Sequence, residues 1–122
     1  MANRVIVVVD DEPHIVEMVK TFLSIKGYDV HGAYTGESGL ALVESERPDA
    51  LLLDLMLPDI EGFEVCERLR GMEQFADLPI LIISARSDPA SRERARAVGA
   101  DVYFTKPVPM PQLVNELSRL LG

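Results

Sequence analysis

Arg4-Val-Ile-Val-Val-Val9 runs directly into Asp10-Asp11-Glu12-Pro13. Five β-branched residues in a row, with no polar alternation, mark a strand buried on both faces. The run then stops at three carboxylates and a proline. A buried strand that ends in a cluster of acid is the first line of an α/β fold with a site at its strand ends.

The same pairing recurs down the chain. After Pro13 a helical stretch places Ile15, Val19, Phe22 and Leu23 on one stripe and ends at Lys26-Gly27, where glycine suits a left-handed cap. A short strand is expected around Tyr28 to Ala33. Thr35 caps a second helix to about Glu46, and Pro48 blocks its continuation. Ala50-Leu-Leu-Leu53 is a second fully apolar strand, and Pro79-Ile-Leu-Ile-Ile83 another. Between them a helix turns Cys66 and Leu69 inward and ends near Gly71. A fourth helix spans about Pro89 to Val98, with Arg92, Arg94 and Arg96 leaving mainly Ala95 and Val98 to face the sheet. Asp101 to Thr105 is a fifth strand, and a last helix carries Leu113, Leu117, Leu120 and Leu121. Five strand–helix units with short links imply a parallel sheet covered on both faces. Right-handed crossovers then leave a doubly wound α/β sandwich as the natural arrangement.

At 122 residues and 48% hydrophobic, the chain suits one domain, 1–122, with enough apolar residues for a single core. Twenty acidic residues against 12 basic ones, a net charge of −8, argue against direct nucleic-acid binding and against an anionic membrane surface. Cys66 is the only cysteine, so no intrachain disulfide can form. The first apolar run is too short for a signal peptide or a membrane span. The expectation is a soluble, cytoplasmic protein. His14 and His31 lack a second histidine or cysteine at metal-site spacing and are read as surface residues.

In an open α/β sheet, ligands sit at the carboxyl ends of the strands. There the sequence places Asp10, Asp11 and Glu12 after the first strand, Asp54 after the third, Ser84 after the fourth and Lys106 after the fifth. Carboxylates facing one another repel, and at least one should have a raised pKa. A divalent cation relieves that repulsion, and an all-oxygen donor set suits Mg2+ or Mn2+. Such a site, completed by a lysine charge and a serine donor, can stabilise a phosphoryl group in transfer, with Asp54 as nucleophile.

The motifs Val-Val-Val-Asp10-Asp11-Glu12, Leu-Leu-Asp54-Leu-Met-Leu-Pro58-Asp-Ile-Glu-Gly62, Ile-Ser84-Ala and Thr-Lys106-Pro107 resemble, in order and spacing, the receiver domain of bacterial two-component response regulators, the CheY-like family. The resemblance covers essentially the whole chain. It implies strand order 2-1-3-4-5, and Asp54 as phosphoacceptor for a histidine kinase phosphohistidine. Asp11, Asp54 and the Met56 carbonyl would be direct Mg2+ ligands, with Asp10 acting through water. Ser84, Lys106 and the Ala85 N–H would contact the phosphoryl oxygens. A cis Lys106-Pro107 bond is implied, as is a switch in which Ser84 and Tyr103 turn inward and the face made by the fourth helix, the fifth strand and the last helix changes. Met56 and Arg86 would border the site.

The implied protein modifies itself and does not turn over a substrate. Its partners would be a sensor histidine kinase and a downstream protein or an output domain lying outside this chain. Val102 and Glu116 depart from the pattern of DNA-binding regulators that pair through this face, which points to a monomer or a weak, phosphorylation-dependent dimer. Two rival classes fit less well. A haloacid-dehalogenase-like phosphatase needs an acid two residues after its nucleophile, where this chain has Met56. A flavodoxin-like cofactor binder needs a Ser/Thr/Gly-rich phosphate loop where this chain has Asp-Asp-Glu-Pro.

Overall fold

The computed structural model describes residues 3–122. Strands and helices alternate: β1 (Val5–Val9), α1 (Pro13–Ile25), β2 (Asp29–Ala33), α2 (Gly36–Glu46), β3 (Ala50–Leu53), α3 (Gly62–Arg70), a 3-10 turn (Glu73–Phe75), β4 (Ile80–Ser84), α4 (Pro89–Ala97), β5 (Val102–Thr105) and α5 (Met110–Leu121). All strand pairs are parallel and the order is β2-β1-β3-β4-β5.

Because side chains alternate across a strand, each apolar run supplies two cores. Val7, Val9, Leu51, Leu53, Ile80 and Ile82 pack with α2, α3 and α4 through Leu40, Val43, Phe63, Leu69 and Ala95. Ile6, Val8, Leu52, Leu81 and Ile83 pack on the other face with α1 and α5 through Val16, Val19, Leu23, Leu113 and Leu117. This is why the strands read as unbroken hydrophobic runs. Cys66 is buried, its thiol donating to the Val98 carbonyl at 3.2 Å, and burial pushes that thiol up to about 11.

Several expected details shift. The buried line of α1 is Val16, Val19 and Leu23, with Ile15 and Phe22 only half-buried. Val16 takes the inner place because it lies over Gly32 of β2, where any side chain would meet its Cγ1. Leu120 and Leu121 are likewise half-buried, at the end of α5. Ser84 is the last residue of β4 rather than the first after it. Asp101 stays outside β5, because its carboxylate accepts from the Ile80 N–H at 2.9 Å and meets Arg70 at 3.2 Å. The expected caps are present. Thr35 caps α2 in a capping box with Ser38, and Gly27 closes α1 at φ +96°. No helix among the described residues is long and apolar enough to cross a membrane.

Candidate functional site

The strand order reverses around β1, which has β2 on one side and β3 on the other. The register pairs Val9 with Leu53, so Asp10 and Asp54 leave the sheet side by side. Backbone bonds hold both: Asp54 N–H donates to the Val9 carbonyl at 2.9 Å, and Asp10 N–H to the Ala33 carbonyl at 3.1 Å. On the other side β4 and β5 end in register at Ser84 and Thr105, and Lys106 N–H donates to the Ser84 carbonyl at 2.8 Å. Topology alone therefore delivers two buried acids and a lysine to one edge.

The Lys106 ammonium is the hub. It lies 3.0 Å from Asp10 Oδ2, 3.0 Å from Glu12 Oε1 and 3.2 Å from Asp54 Oδ2. Asp10 and Asp54 are 2% and 3% exposed. Each has its other oxygen held by a main-chain donor: Glu12 N–H reaches Asp10 Oδ1 at 3.0 Å, and Met56 N–H reaches Asp54 Oδ1 at 3.2 Å. Burial, reinforced by the charge of Asp10, lifts the Asp54 carboxyl to about 6, against the pull of the Met56 N–H and Lys106. The raised acid expected from the sequence is thus Asp54 itself. Burial pulls the Lys106 ammonium down, but its bonds to Asp10 and Glu12 and the charges of Asp54 and Asp10 outweigh burial and raise it overall. The bond to Lys106 holds Glu12 below the usual carboxylate range.

The donor set fits a hard divalent cation. One oxygen from each of Asp10, Asp11, Glu12 and Asp54 lies within 4.8 Å of the others. One ammonium cannot balance four carboxylates, and a divalent cation would offset the excess. A cleft of ≈ 360 Å3 opens beside them, lined by Asp11, Glu12, Asp54, Met56, Ala85 and Lys106.

Other residues singled out in the sequence fall around this cleft rather than in its lining. Ser84 is fully buried at the tip of β4, its hydroxyl accepting from the Arg86 N–H at 3.1 Å. Tyr103 donates its hydroxyl to the Arg86 carbonyl at 2.8 Å. The Lys106-Pro107 bond is cis. Arg86 lines a neighbouring cleft, which shares Asp11 and Met56 with the first. His14 is exposed beside Glu12, and His31 sits between Asp29 and Glu46 at 3.3 and 3.1 Å.

Sequence reading left three contacts unassigned. Glu12 was placed with the strand-end acids, but its bond to Lys106 spans 94 positions. Arg92 stacks over the Tyr103 ring at 4.6 Å and donates to Thr105 Oγ1 at 2.7 Å, a cross-element contact with no periodic signal. Asp59, in the loop after β3, accepts from the Gly36 and Glu37 N–H groups at 2.7 and 2.8 Å, tying that loop to the start of α2.

A family model, the response regulator receiver domain, matches residues 6–118. The chain belongs to the response regulator receiver family. The receiver is 40% identical over 116 residues, 95% of its length, to the DNA-binding dual master transcriptional regulator RpaA of a Synechocystis species. It is 41% identical over the same share to response regulator MprA of Mycobacterium tuberculosis. It spans about half the length of these curated relatives, 48% and 50%. Among solved structures, chemotaxis protein CheY4 of Vibrio cholerae superposes with a TM-score of 0.92 at 32% identity, covering 98% of this chain and 100% of that one. A putative response regulator from Chloroflexus aurantiacus gives 0.93 at 32% identity, covering 98% of each chain. The receiver is therefore part of two-component signalling, and its CheY-like sheet order is that of the family.

Proposed function

We propose that this receiver, taken as one domain over 1–122, accepts a phosphoryl group on Asp54 from the phosphohistidine of a sensor kinase. An Asp54 oxygen attacks phosphorus, the P–N bond breaks and the histidine imidazole leaves, giving an acyl phosphate. The observation that carries this reading is the contact of a buried, charge-stressed Asp54 with the Lys106 ammonium at 3.2 Å. A desolvated carboxylate beside a fixed cation is positioned for attack, and the cation offsets charge that develops on the phosphoryl oxygens.

Mg2+, or Mn2+ in its place, would supply charge neutralisation and orient the phosphoryl oxygens. Asp11, Asp54 and the Met56 carbonyl would hold it directly, with Asp10 acting through water. Lys106, the Ser84 hydroxyl and the Ala85 N–H would receive the phosphoryl oxygens. Modification adds about −1.5 to −2 charges, which would draw Ser84 and then Tyr103 inward and alter the α4-β5-α5 face. With Met56 two residues after Asp54, the chain has no acid there for phosphatase turnover, so the receiver modifies only itself.

The proposed partners are a cytoplasmic kinase and, for output, either a separate protein or a module joined to this domain. RpaA is named as DNA-binding; here any DNA contact would belong to such a module, since the receiver carries a net charge of −8. Incubation with acetyl phosphate and Mg2+ tests the reading by intact mass. One added phosphoryl group is expected, abolished by chelating the metal. A chain that never labels, from acetyl phosphate or a phosphorylated kinase, contradicts it.

A further inference from the structure

An ammonium has three donors, and Lys106 has three carboxylates to share them: it donates to Glu12 and Asp54 and is ion-paired with Asp10 at 3.0 Å. A phosphoryl group on Asp54 needs at least one of those donors. The three partners are not equally easy to leave. Asp10 and Asp54 are buried, and each is fixed by a main-chain N–H through its second oxygen. Asp10 keeps its buried charge throughout, so removing the cation from it is costly. Asp54 gives up its carboxylate charge on forming the acyl phosphate, so the donor it holds passes to the phosphoryl group, and a second donor can come only from Asp10 or Glu12. The Glu12 side chain is 46% exposed, and its second oxygen lies 3.5 Å from the exposed His14 ring. Once released, it is rehydrated.

We propose that Glu12 is the releasable partner of Lys106: it holds one ammonium donor in the unmodified receiver and surrenders that donor to the phosphoryl oxygens. This rests on Asp54 being the phosphoacceptor, and it assigns Glu12 a positioning role through Lys106. The pair opposes modification by its own strength, which for an exposed ion pair corresponds to about two- to fivefold in an equilibrium constant.

Beryllofluoride, a phosphoryl mimic, titrated into the Mg2+-saturated protein and followed by NMR, gives the test. Glu12→Gln should tighten beryllofluoride binding about two- to fivefold, and the gain should disappear in a Lys106→Ala background. Unchanged or weaker binding overturns the proposal. So does a gain that persists without Lys106, because that would be plain relief of charge repulsion. In the metal-free protein, Glu12→Gln should also shift the Lys106 ammonium resonance, and an unmoved resonance overturns the pairing. If the parent binds no beryllofluoride, the phosphoacceptor reading itself fails, and with it this proposal. An unaltered affinity in Glu12→Gln, with the parent binding normally, removes only the role of Glu12.

Discussion

At Asp54 burial and the Asp10 charge raise the carboxyl to about 6, above its ordinary 3.8. A native pKa above the unfolded one means the folded chain binds the extra proton between those two values. Stability from this group is therefore complete below about pH 4 and lost as pH rises through about 6. In metal-free buffer, Asp54→Asn should stabilise the fold at pH 7 to 8 by at most about 3 kcal/mol, with the gain vanishing near pH 4. Urea unfolding across that range checks it, and a variant less stable than the parent at neutral pH contradicts it. The sequence showed that some acid here must be strained. It could not show which, because the burial of Asp54 and its place beside Asp10, set by the Val9–Leu53 register, decide that in three dimensions.

Two elements carry information the sequence held only in part. The end of α2 was marked by Pro48, but the turn is made by Arg47 in the left-handed region at φ +47°. A residue with a Cβ is disfavoured there by about 1–2 kcal/mol. After allowing for the greater unfolded-chain entropy of glycine, Arg47→Gly should raise stability by about 1 kcal/mol or less, measurable by the urea midpoint. A loss would contradict the strain. In α4, sequence reading found few large apolar residues, and the structure buries only Ser91 and Ala95 fully. What the sequence did not show is how the arginines compensate: Arg92 lies over Tyr103 and Arg94 over Phe63, at 4.6 and 4.2 Å. A helix held largely by cation–ring contacts and one small core residue is easily displaced. Beryllofluoride at saturation should move amide resonances from Ser84 through Tyr103. Unchanged spectra in that span, with the mimic bound, would contradict a switch there.

Across the whole molecule, a doubly wound parallel sheet was legible because unbroken apolar runs require a sheet covered on both faces, and short links leave few ways to wind it; its strand order was implied by the family resemblance. The site was legible for a related reason. Parallel strands all end on one edge, so acids after β1 and β3 and a lysine after β5 must meet. Contacts among side chains far apart in sequence, such as Glu12 with Lys106, leave no such pattern. One glycine shows how tightly the whole is joined: at Gly62 a Cβ would lie 2.3 Å from the Asp54 carbonyl oxygen, so α3 packs directly on the backbone of the proposed phosphoacceptor. The central claim is that Asp54 takes a phosphoryl group in a metal-dependent step. Intact mass after incubation with acetyl phosphate and Mg2+, on the parent and Asp54→Asn side by side, tests it most directly. The account predicts one phosphoryl group on the parent, removable by hydroxylamine, and none on the variant. Equal labelling of both, or a label that resists hydroxylamine, would contradict it.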